Sequence, residues 1–284
     1  MSSQSSPVRT WSLRVLGAAI MVVLVLLSWV VLRRLDDHQQ QPTPSIPPDP
    51  LPVASAPPDP GVEPPAVHVL PADAPPRPPE DRPQGQLTGW SRSMSDELNI
   101  PEAALEAYGY AASVLEVTEP TCGLTWTVLA GIGAVESGHG RYGGADLDET
   151  GRPSTPIRGM PLDGREGIKT IHDTDDGVLD GDEVYDRAVG PLQFIPTTWN
   201  RWAVDADADG AADPDDIDDA ALAAGNYLCD SAGDLREPQQ YWKALLEYNA
   251  SEEYGQQVLN HADYYGGRSH RLIGAERSRP LGND

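Results

Sequence analysis

Phenylalanine occurs once in this chain of 284 residues, at Phe194, and cysteine twice, at Cys122 and Cys229. A core must therefore be built from Leu, Ile, Val, Ala, Trp and Tyr. A Cys-rich metal scaffold is excluded, since no further Cys or His stands at ligand spacing from either thiol. Basic residues are scarce, with 20 Lys and Arg against 44 Asp and Glu, and the formal net charge is −24. Nucleic acid is excluded as a partner, because phosphate binding needs a basic surface. No run of alternating apolar and polar residues is long enough to argue a strand, so the pattern points to a mainly α fold.

A long apolar run is present at residues 15–32, "VLGAAIMVVLVLLSWVVL", about the length that spans a bilayer. Arg9 and Arg14 precede it and Arg33 and Arg34 follow it, so flanking charge orients it weakly. The acidic remainder and the two cysteines fit the outside of the cytoplasm better. No small-residue cleavage site closes the run, which is also long for a signal peptide, so an uncleaved anchor behind a short cytoplasmic segment, 1–14, is expected. Residues 33–85 hold most of the prolines, in runs such as "PTPSIPPDPLPV" and "PPRPPEDRP". Such a segment favours extended polyproline II and reads as a disordered spacer, reaching on the order of 150 Å if fully extended.

The pattern then turns helical, over an expected domain of 86–266, with a tail at 267–284. "IPEAALEAYGYAASVLEV" carries Pro101 for a first turn; "GPLQFIPTTWNRWA" places Pro191 near a helix start and Pro196 as an interruption; "DPDDIDDAALAAGNYLCD" opens on Pro214. "SEEYGQQVLNHADYY" is expected to be capped by Ser251. Trp126, Trp199, Trp202 and Trp242 fall at helical spacing and read as core rather than as sugar-stacking faces. In an exported domain two lone cysteines pair, and Cys122 with Cys229 would close a long loop; two buried free thiols are the alternative.

The stretch "LAGIGAVESGHGRYGG" (129–144) is the sharpest chemical signal. Leu129, Ile132, Gly133 and Glu136 share one helical face, and "SGHG" ends the helix just past the carboxylate. Apolar surroundings and the negative end of the helix dipole both disfavour the anion, which would raise the pKa of Glu136 toward that of a general acid. A solvated glutamate at a frayed helix end is the plain alternative.

"GIGAVESGHGRYGG", "RAVGPLQFIPTTW" and "LLEYNASEEYGQQVL", in this order, resemble the soluble lytic transglycosylase domain of the membrane-bound lytic transglycosylase B family, over roughly residues 90–265. The resemblance implies a lysozyme-like helical domain outside a bacterial membrane. It would cleave the β-1,4 bond between N-acetylmuramic acid and N-acetylglucosamine in peptidoglycan and leave a 1,6-anhydro end. One carboxylate suffices for that reaction, because the nucleophile is the sugar's own 6-hydroxyl. The acid/base role falls on Glu136, and no catalytic cofactor is implied. Ser137 would orient it at the substrate, with Gly190, Gln193, Phe194, Tyr248 and Asn249 as further substrate contacts. The resemblance also places Tyr248 close to Glu136. Phe194 alternatively serves packing alone.

"DADADGAADPDD" (205–216) sets Asp205, Asp207, Asp209, Gly210, Asp213 and Asp216 at positions 1, 3, 5, 6, 9 and 12 of an EF-hand-type loop, with Asp in place of the usual final Glu. A structural calcium ion held by the five aspartates is expected; an acidic solvated turn is the alternative. "HDTDDGVLDGDEVYD" (172–186) lacks that spacing, and by resemblance lines the substrate groove. Its Asp186 is the first candidate for a second catalytic acid. Two further readings stand beside the transglycosylase: a hydrolytic muramidase using such an acid, and a calcium-stabilised wall-binding module without turnover. The sequence sets no oligomeric state.

Overall fold

The computed structural model describes residues 56–71, 74–165 and 168–277. The expected N-terminal segment and anchor, 1–14 and 15–32, lie outside them. Among the described residues no helix is long and apolar enough to cross a membrane.

Two short helices, α1 (Thr88–Arg92) and α2 (Ser95–Leu98), lead into α3 (Glu102–Thr118) and α4 (Trp126–Ser137). After a long irregular stretch come α5 (Pro196–Trp202), α6 (Ile217–Ala232), α7 (Pro238–Tyr248) and α8 (Glu252–Arg277). Proline occupies the first turn of α5 and α7, where its missing N–H costs nothing. Asp216 caps α6 by accepting the amide of Asp218. Ser251 Oγ accepts the amide of Tyr254 and so begins α8, as expected. The fold is mainly α. Among the described residues β pairing is limited to isolated antiparallel bridges, all between Leu147 and Phe194.

The broadest helix contacts are α4 on α8 and α3 on α6. Small residues let these axes approach. A Cβ on Gly131 would sit 2.6 Å from the Val258 carbonyl oxygen, so α4 can approach the α8 backbone this closely only with glycine there. Trp126, Tyr108, Leu129, Ile132, Ile217 and Tyr241 are fully buried between the layers. Trp199 and Trp242 are buried with Trp126, as core reading predicts, while Trp202 is only partly covered. Cys122 and Cys229 form a disulfide that ties the α3–α4 connection to α6.

Three boundaries differ from expectation. The described part of the 33–85 segment is bound to the domain rather than free of it. Over 56–71 it runs as a strap without helix or strand. Asp59 N–H donates to Asp263 (2.8 Å), and Val62 N–H to Ser269 Oγ (2.9 Å). Trp126 Nε1 donates to the Val62 carbonyl (3.1 Å) and Thr127 Oγ1 to that of Asp59 (3.0 Å). Further on, Arg82 is buried and paired with Glu106 and Asp218. Proline-rich composition opposes helix and sheet but not an extended segment whose carbonyls find donors on a surface.

The expected tail is likewise partly structured, because α8 continues to Arg277. Ser269 is fully buried there, its hydroxyl donating to the Gly266 carbonyl (2.7 Å) while it takes the strap amide. Finally, no helix starts at Pro191. Residues 190–193 form a turn closed by the Val189–Phe194 bridge, and the helix begins at Pro196.

Candidate active site

Glu136 is the penultimate residue of α4. Gly138 and His139 both adopt left-handed backbone (φ 60° and 63°), and their amides return to the carbonyls of Ala134 and Gly133. That double reversal ends the helix and leaves Glu136 at a half-buried rim. Protein around the carboxyl desolvates it and pushes its pKa up to about 7, offset in part by the Tyr254 hydroxyl turned toward it. The Tyr254 hydroxyl is buried and makes no hydrogen bond of ordinary geometry among the described residues. It lies in the first turn of α8, so the α4–α8 packing is what delivers it. Sequence reading missed Tyr254, although it stands inside the third quoted motif.

The turn at 190–193 forms the neighbouring wall. Gly190 has φ 74°, and a Cβ on it would stand 1.7 Å from the Pro214 carbonyl oxygen, so no other residue fits. Gln193 also has positive φ (50°), and its Nε2 donates to the Gly190 carbonyl (2.9 Å). Ser137 fastens this turn to α4. Its hydroxyl donates to the Pro191 carbonyl (2.6 Å) and accepts the amide of Gly140 (2.7 Å). Ser137 is 3% exposed, so it corrects the expected substrate contact: its hydrogen bonds are spent inside the protein, and it positions the walls.

Phe194 is also corrected. It is 2% exposed and packs edge-on against Trp199 and Tyr248, so it belongs to the core. Tyr248, at the end of α7, donates its hydroxyl to the Leu192 carbonyl (2.8 Å) and stacks on Tyr254. Burial and the nearby Glu136 charge both push the Tyr248 pKa up. Tyr248 is therefore beside the acid without pairing to it. Asn249 follows as an exposed residue at the α7 terminus. Behind the site, His139 lies between Tyr108 and Tyr265, with ring nitrogens 3.2 and 2.9 Å from their hydroxyls. Burial pushes its pKa well below the usual histidine value, so it is a neutral strut under the α4 end.

Asp186 is fully buried, and both of its oxygens serve Thr174, one taking the amide (2.9 Å) and one the hydroxyl (2.8 Å). It pins the 172–186 loop and does not offer a water-activating base. Asp173 and Asp175 place carboxylate oxygens near it and accept amides of their own loop, while Asp175 Oδ1 is buried without a partner.

The five aspartates expected to hold calcium divide into two sets. Asp205, Asp207 and Asp209 bring carboxylate oxygens within 4.8 Å of one another. Asp207 is 2% exposed and its Oδ2 has no partner, an orphaned buried oxygen of the kind a cation would satisfy. Asp213 and Asp216 turn instead to the guanidinium of Arg152, and Asp216 is the α6 cap. The first three residues fit a hard divalent ion.

Residues 184–233 match the family model described as a transglycosylase SLT domain. The matched segment holds the 190–193 turn, α5, the aspartate loop and α6. No curated protein and no solved structure matches the chain. The mainly helical arrangement is consistent with the lysozyme-like fold of such domains. The match supports a lytic transglycosylase, in general terms a peptidoglycan-cleaving enzyme.

Proposed function

We propose that this protein is a lytic transglycosylase of the membrane-bound B type, with Glu136 as its single acid/base. The carrying observation is the half-buried Glu136 carboxyl, with its pKa raised to about 7, at the rim shared by α4, the 190–193 turn and the first turn of α8. Protonated, Glu136 donates to the glycosidic oxygen as the bond breaks. As the carboxylate, it then takes the proton of the 6-hydroxyl that attacks the anomeric carbon, closing the 1,6-anhydro ring. Gln193 and Asn249 supply amide groups at the rim for N-acetyl and hydroxyl groups of the glycan. Commitment of both Asp186 oxygens to Thr174 argues against the hydrolytic muramidase that would use it.

Residues 15–32 anchor the domain on the extracytoplasmic face in this reading. Calcium would be held by Asp205, Asp207 and Asp209. It would supply charge balance at the base of α6, where Ala206 N–H donates to Asp219, and take no part in bond cleavage. Mass spectrometry of products from purified peptidoglycan tests the reading. Sugars one water lighter than hydrolysis products, absent with Glu136→Gln, are expected. Free reducing ends, or undiminished turnover by the variant, would overturn it.

A further inference from the structure

The aspartate loop already contains one cation, and it is covalent. Arg152 reaches in from outside the loop. Its guanidinium pairs with Asp209 (3.1 Å), with Asp213 and with Asp216 (3.3 Å), the loop's fifth, ninth and twelfth positions. Asp205 and Asp207, at the first and third positions, make no pair with it. The arginine is not a stray surface side chain. Asp148 N–H donates to the Arg152 carbonyl (3.0 Å), Arg152 N–H donates back to Asp148 Oδ1 (3.0 Å), and Leu147 bridges Pro153. Ile217 N–H, at the start of α6, donates to the Gly151 carbonyl (3.0 Å). The arm that carries Arg152 is thereby fixed to the helix that the loop feeds.

We propose that Arg152 is a built-in counter-cation of the 205–216 loop, competing for its carboxylates and so holding its calcium affinity weak. The proposal rests on the calcium reading given above. A guanidinium cannot shed its proton at any ordinary pH, so its charge can be displaced but not switched off. Calcium needs roughly six to eight oxygens, and affinity follows the number of charged ligands. With Arg152 seated, the outer oxygens of Asp209, Asp213 and Asp216 are engaged. A cation then has Asp205, Asp207 and the Oδ1 side of Asp209, an oxygen that also accepts the Ala211 amide, with water completing its shell. To gain more it must expel the arginine against three ion pairs. Either way the affinity falls into the range of extracellular calcium modules, roughly 10⁻⁴–10⁻³ M. Beside Arg152, Asp207 Oδ2 has neither a hydrogen bond nor an ion pair, and Asp216 Oδ2 has only its 3.3 Å ion pair.

Calorimetric titration of calcium into chelator-treated protein, with the melting temperature followed in parallel, tests this. Arg152→Gln keeps hydrogen-bonding groups but removes the charge, and should bind calcium about tenfold tighter or more. It should also melt lower than the parent without calcium and regain that loss when calcium is added. Arg152→Lys should stay near the parent affinity. Unchanged or weaker binding by Arg152→Gln would overturn the counter-cation role while leaving the calcium reading intact. Binding by Arg152→Gln alone would support the role, with arginine replacing the metal outright. Absence of binding in both, with Asp207→Asn indistinguishable, would overturn the calcium reading and the proposal with it. Should Arg152→Gln not fold, Asp213→Asn decides. Removing a carboxylate that Arg152 holds should leave calcium affinity unchanged, whereas Asp205→Asn should lower it. Equal losses in those two variants would overturn the proposal.

Discussion

At the scale of single residues, the raised pKa of the candidate acid is made by its neighbours. Burial raises Glu136 to about 7 while the Tyr254 hydroxyl works in the opposite direction. In the proposed mechanism the reaction begins from the protonated acid, so turnover should be flat below pH 7 and fall as pH rises through it, which a pH–rate profile would read. Tyr254→Phe removes a group that favours the anion, so the alkaline limb should move to higher pH. A limb that stays in place would remove Tyr254 from this role. The same shift has a cost for folding. A carboxylate raised in the folded state contributes stability at low pH that is lost as pH rises from its ordinary value through about 7. Glu136→Gln should therefore melt above the parent at pH 8 and level with it near pH 4. Ser137→Ala would leave the Pro191 carbonyl and the Gly140 amide without their partner, a loss of about 2 kcal/mol by calorimetry, and lower kcat more than KM. Glu136 was legible as a candidate because a stripe ending in a carboxylate is a one-dimensional pattern. The Ser137 role was not, since its partner Pro191 lies on another segment and nothing local marks the bond.

At the scale of elements, the strap changes what counts as the domain. Residues 56–71 join α4 to α8 at the end of their seam away from Glu136, and Arg82 neutralises two carboxylates in the interior. A fragment of 86–284 lacks both and leaves Glu106 and Asp218 without their cation, which costs about 3–5 kcal/mol. It should melt well below a 56–284 fragment, or fail to fold, in thermal denaturation side by side. Equal melting temperatures would mean the strap is only laid on the surface. The disulfide works on the same scale. It spans 107 residues of sequence, so reducing it should cost about 4–5 kcal/mol and lower the melting temperature by roughly 10 °C or more. Helices α3, α4 and α6 were readable from apolar spacing and proline position. The strap was not, because an extended proline-rich chain looks the same in sequence whether it is solvated or docked.

At the scale of the whole molecule, the charge of −24 sets how the protein meets its substrate. Peptidoglycan with anionic attachments is repelled at long range, and salt screens that repulsion over about 10 Å at 0.1 M. Binding to isolated wall should strengthen from low salt to that concentration, measured by cosedimentation with the inactive Glu136→Gln variant. Weakening would instead point to attraction through a basic patch.

Helical class, the acidic balance that argues against nucleic acid, the candidate acid and the three motifs follow from the sequence by itself. Each depends on composition or on residues a few positions apart, where helix geometry alone relates them. Tertiary structure decided which residues of those motifs face the rim and which are spent inside. It buried Phe194, tied Ser137 to Pro191, brought Tyr254 to Glu136 and gave Asp213 and Asp216 to Arg152. These contacts join segments tens to more than a hundred residues apart, and a side chain's partner across such a distance is fixed by packing. Spacing along the chain carries no record of it.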